Sequence, residues 1–155
     1  MKSLKAMIPV ATLIASLFVG NAAFAHSDEY LDTQKAPNGG QLRMAGVYHF
    51  ELIVAKDSKE AKDNPVVVYV TDHAGTKIPT AGATGTVTLL GGKAKSSVTL
   101  TPDGDNRLKG VGKYASMPDL KAVVSITLAG KGAEQARFTP LAMPMPQDGH
   151  MDHKH

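Results

Sequence analysis

Short runs of alternating apolar and polar residues recur along this chain, separated by glycine, proline, asparagine or aspartate. A side-chain period of two suits a strand with one buried face, and the interruptions are turn chemistry. In residues 47–54, Tyr48, Phe50, Leu52 and Val54 fall on one face. Val47, His49, Glu51 and Ile53 fall on the other. Further strand-like runs cover 66–71, 84–90, 96–101, 107–113, 122–128 and 136–139, with two glycines weakening 107–113. Asp72-His73-Ala74-Gly75, Gly91-Gly92 and Pro102-Asp103-Gly104-Asp105 read as turns, and 56–64 reads as a charged loop. No window combines a helical period with caps. The pattern predicts an all-β fold, an immunoglobulin-like β-sandwich of about seven strands with flexible termini.

The ends have a different composition. Lys2 and Lys5, the apolar run 6–20 and the small-residue triplet Ala23-Phe24-Ala25 form the three parts of a cleavable secretory signal. Four segments follow from this reading: a signal over 1–25, a flexible arm over 26–37, the sandwich over 38–140 and a mobile Met/His-rich tail over 141–155. Export places the product in an extracytoplasmic space, a bacterial periplasm, with no membrane span after signal removal. The chain has no cysteine, which excludes disulfides, thiolate metal sites and a Cys nucleophile. Loss of Lys2 and Lys5 takes the basic residues from 17 to 15 against 14 acidic ones, a balance of +1 that gives no attraction to nucleic acid. Aromatics at 5% and the lack of Trp argue against a base-stacking platform.

Histidine and methionine carry the available chemistry. All six histidines lie beyond the signal. His150, His153 and His155 close the chain, interleaved with Met143, Met145 and Met151. Imidazole binds copper, zinc and nickel, and thioethers prefer Cu(I), so the mixture favours a copper ion over zinc or nickel. Cleavage after Ala25 makes His26 the new N-terminus, where amine and imidazole can chelate one ion together. His49 and Glu51 share a strand face about 6.5–7 Å apart, and His73 sits in a turn; these three are the candidate ligands on the folded body. No catalytic triad, nucleophile elbow or phosphate-binding loop is present, so the chain is not read as an enzyme.

Pro37-Asn38-Gly39-Gly40-Gln41-Leu42, Tyr48-His49-Phe50-Glu51-Leu52, Val68-Tyr69-Val70-Thr71-Asp72 and Thr99-Leu100-Thr101-Pro102 together resemble a known domain. It is the small N-terminal β-sandwich of periplasmic adaptor subunits of heavy-metal efflux pumps, and of related freestanding periplasmic metal-resistance proteins. The likeness runs over roughly 36–140. The family often has His-Gly-Gly where this chain has Asn38-Gly39-Gly40, and the adaptor's helical hairpin and lipoyl-like parts are missing. The resemblance implies a detached sandwich that holds metal or docks on an efflux-pump component.

The expected function is a periplasmic metal-binding protein that buffers or delivers ions in heavy-metal resistance or efflux. The alternative is a non-catalytic module that docks on an efflux-pump or envelope partner through a sheet edge. The processed chain is expected to run from His26 to His155, 130 residues. Intact mass of the protein isolated from the periplasm checks this, and any other N-terminus removes His26 as an amine-imidazole chelator.

Overall fold

The computed structural model describes residues 27–143. After a short helix, α1 (Asp28–Thr33), come eight strands: β1 (Gln41–Ala45), β2 (Tyr48–Val54), β3 (Lys62–Asp72), β4 (Thr84–Gly91), β5 (Ala94–Pro102), β6 (Arg107–Tyr114), β7 (Lys121–Thr127) and β8 (Ala133–Phe138). The strands hydrogen-bond in the order β1-β2-β3-β6-β5-β4-β7-β8, and the pairings within this sheet are antiparallel. The all-β expectation holds. The ladder itself is one continuous ribbon of eight strands, and that order does not establish the immunoglobulin-like arrangement. Two four-stranded halves meet where β5 crosses to β6 through Thr101↔Lys109 and Pro102↔Leu108. The far edge of β8 returns beside β1, where the Gln41 Oε1 accepts from the Thr139 backbone N–H at 2.9 Å, so the sheet nearly closes.

The inner face follows the alternation in the sequence. Phe50, Leu52 and Val54 of β2 meet Val66, Val68 and Val70 of β3. Across from them lie Val87 and Leu89 of β4, Val124 and Ile126 of β7, and Phe138 of β8. Burying each such side chain contributes about 1.5–3 kcal/mol, so the period-two pattern fixes which face turns inward. The two glycines that weakened 107–113 have a packing reason. A Cβ on Gly110 would run into the Thr99 carbonyl, so glycine lets β6 approach β5 at the crossing.

Lys62, Asp63 and Asn64, expected as the end of a charged loop, pair with β6 as the start of β3, and two further segments also depart from expectation. β1 was not expected as a strand. It pairs with β2 from Gln41↔Leu52 to Ala45↔Tyr48, and Gly46 at φ 59° makes the connecting turn. The supposed flexible arm over 26–37 contains α1, with Leu31 only 3% exposed. Ser27 caps this helix, its Oγ accepting from the Tyr30 N–H at 3.2 Å, and Asp28 and Glu29 occupy the first turn where acids favour the helix dipole. No helix among the described residues is long and apolar enough to cross a membrane.

Tyr114 ties the end of β6 to β3 and to the residue that follows β2. Its hydroxyl donates to the Pro65 carbonyl at 2.5 Å and accepts from the Ala55 N–H at 2.8 Å. Burial pushes its phenol above the ordinary tyrosine value, partly offset by the Ala55 hydrogen bond. Because the folded value is raised, the contribution of the neutral phenol is intact below the unfolded tyrosine value and is lost as pH rises through the folded one. Tyr114→Phe leaves the part-buried Ala55 N–H and Pro65 carbonyl without this partner and is expected to cost about 1–3 kcal/mol in urea unfolding. The variant should also lose part of the wild-type stability decline in alkali.

Candidate functional site

In an antiparallel sheet, directly paired residues share a face. Leu42, Glu51 and Tyr69 therefore form one cross-strand row on the outer side of β1, β2 and β3. Met44, His49 and Thr71 form the next. On an open sheet this side would face water. Here His49 is 8% exposed and Glu51 only 2%. The segment running through α1 to Pro37 and Asn38 lies over them and leaves a pocket of about 370 Å³ between itself and the sheet.

Two polar attachments hold that cover. Arg43 of β1 is nearly buried, and its guanidinium meets the Asp32 carboxylate at 2.7 Å and Asp28 at 3.6 Å. Asp28 and Asp32 stand four residues apart, so both face the same way from α1. At the other end, the Glu51 carboxylate accepts from the Asn38 N–H at 2.6 Å and from the Asn38 Nδ2 at 3.0 Å. A buried carboxylate is tolerated only when hydrogen-bonded, and one asparagine meets that need with backbone and side chain together. Gly40 makes the approach feasible, since a Cβ there would run into the Leu52 carbonyl.

His73 follows the end of β3. Asp72 organises its turn: Oδ1 accepts from the Thr76 N–H at 2.8 Å and from the Ala74 N–H at 2.9 Å. Those bonds, Thr76 foremost, and the neighbouring His73 imidazole hold the Asp72 carboxyl below the usual carboxylate range. The turn presents the exposed His73 ring against the buried ring of His49. Their centroids lie 4.9 Å apart with the planes at 14°, a stacked pair.

The structure thus brings together His49 and His73, twenty-four positions apart in the chain. Glu51 is near them in the same pocket, but its oxygens are directed to Asn38. Among the described residues, no group of three or more His, Cys, Asp or Glu side chains is close enough to hold a metal ion. Met143 is exposed on the way out of the fold. His26, Met145, His150, Met151, His153 and His155 lie outside the described residues.

A metal bonded to imidazole sits in the ring plane, along the nitrogen lone pair. Two stacked, nearly parallel rings have planes that do not meet at a bonding distance. One ion can be shared only after a ring turns, and His73, exposed on its turn, has the room to do so. The sequence reading missed Tyr30, Leu31, Lys35, Asn38, Tyr69 and Lys77 as lining residues. The one local signal was Ser27 ahead of Asp28-Glu29, a helix N-terminus signature that would have placed α1.

The chain matches no protein-family model, no curated protein and no solved structure.

Replacing Glu51 tests the cover directly. Glu51→Ala removes a charged acceptor from Asn38 and is expected to cost about 1.5–3 kcal/mol in urea unfolding. Amide exchange at Asn38 and Leu31 should accelerate, while Glu51→Gln retains an acceptor and recovers part of the loss. Unchanged exchange at Leu31 would show that the cover does not depend on this contact.

Proposed function

We propose that the protein binds a transition-metal ion, copper in preference to zinc or nickel, in the bacterial periplasm. There it buffers or delivers the ion in heavy-metal resistance or efflux. The observation that carries this reading is the His49–His73 pair at the rim of the pocket. Two imidazoles are half of a four-coordinate site, and His73 is the adjustable member of the pair.

The missing ligands are assigned to the ends of the chain. After β8, Thr139 is hydrogen-bonded to Gln41, the neighbour of the pocket residue Leu42. The described chain, which ends at Met143, thus leaves β8 on the side of the sheet where β1 starts. The twelve residues after Met143 can span at most roughly 40 Å. Met143, Met145 and Met151 offer thioethers to Cu(I), and His150, His153 and His155 offer imidazoles to Cu(I), Cu(II) or zinc. His26 lies one residue before the cap of α1 and adds an amine and imidazole if processing exposes it. A site shared between a seated pair and chain-end ligands permits exchange with an acceptor one ligand at a time, which suits a carrier.

Copper and zinc titrations of the processed chain, the His73→Ala variant and a chain ending at Pro140 test this. Both altered proteins are expected to bind copper at least about tenfold more weakly, a loss of ~1.4 kcal/mol or more. Equal uptake by all three would remove both the pair and the tail from the site. A processed chain that takes up neither metal at micromolar concentration would overturn the reading altogether.

A further inference from the structure

The pocket is far larger than an ion and its ligand atoms require, and its lining has a chemistry of its own. The sheet supplies Leu42 and Tyr69, and α1 supplies Tyr30 and the buried Leu31. The stacked imidazoles of His49 and His73 add a flat surface to this partly apolar, aromatic enclosure. Lys35, just past α1, and Lys77, beyond the His73 turn, complete the lining from two separate segments. Among the described residues, neither lysine has a carboxylate within 4 Å. The carboxylate that does line the pocket, Glu51, is committed to Asn38.

We infer that this pocket binds a small aromatic carboxylate, its ring enclosed among Tyr30, Leu31, Leu42 and Tyr69 and its anionic group met by Lys35 and Lys77. Pockets of a few hundred cubic ångströms lined by aromatic and aliphatic walls with a few polar groups suit small organic ligands. Two ammonium groups without a carboxylate partner favour a negative organic ligand over a neutral one of the same shape. An aliphatic anion would satisfy the lysines and leave the aromatic walls bare. A neutral aromatic would do the reverse. The inference needs no metal and goes beyond the metal-binding reading, although His49 and His73 belong to both.

The test uses the processed chain in excess chelator, titrated with 2-naphthoate and, separately, with the isosteric neutral 2-naphthamide, followed by backbone amide NMR shifts. Saturable shifts are expected at Thr71, His73 and Leu42, with the amide at least about tenfold weaker. The Lys35→Ala/Lys77→Ala double variant, altered at two exposed positions, should bind acid and amide alike. Equal binding of acid and amide by the unaltered chain would overturn the inference. So would shifts mapping elsewhere, or no saturation by about 10 mM, where affinity falls below ~3 kcal/mol. Because chelator is present throughout, a chain that binds naphthoate but never copper keeps this inference and loses the metal reading, and the converse result separates them equally well.

Discussion

The contact between the buried Glu51 carboxylate and Asn38 decides what the outer face of this barrel becomes. A charge withdrawn from water carries a desolvation cost of several kcal/mol unless hydrogen bonds replace the lost hydration. Asn38 replaces it with a backbone N–H and a side-chain amide, and so the chain must lie across β2 at that point. With Asn38 tied down and α1 anchored through Arg43, the intervening segment covers the sheet. The outer face, which would otherwise be a wetted surface carrying a histidine, becomes an enclosed pocket with one buried and one exposed imidazole.

This arrangement separates two tasks within one small fold. The inner face of the sheet is apolar and well packed, with Phe50 and Phe138 as its largest fully buried side chains, and carries the stability. The outer face of three strands at one edge carries the polar chemistry. The close approaches at Gly40 and Gly110 serve both: one seats the cover against β2, the other lets the sheet fold onto itself where β5 meets β6. Such positions admit no side chain because backbone carbonyls already occupy the space.

The imidazole pair is poised and incomplete at once. Stacking stores the rings face to face, in a geometry that excludes shared coordination until His73 turns. A rigid four-ligand cage would hold an ion more tightly and surrender it more slowly. The proposed carrier role therefore fits a partial seat whose further ligands come from the distant chain ends, and the proposed site for an organic anion uses the lysines that line the same pocket.

Much of the barrel was legible in the residue order. Alternation in 47–54 and 84–90 and the β-branched run 66–71 placed strands, and in 47–54 alternation also sorted the residues into two faces, because burial of every second side chain is a local requirement. β1 was harder to read, since Arg43 stands where an apolar residue would complete its pattern, and only the acids of α1 explain it. α1 carried a weak signal at Ser27 and too few residues for a helical period. The pairing order of the strands, the burial of His49 and Glu51, and the meeting of His49 with His73 had no local signature. Composition and periodicity determine that a chain alternates, turns and bears histidines, because those properties belong to neighbouring residues. Which polar face is covered, and which distant rings touch, depends on contacts between segments far apart in sequence, and only the folded sheet decided them.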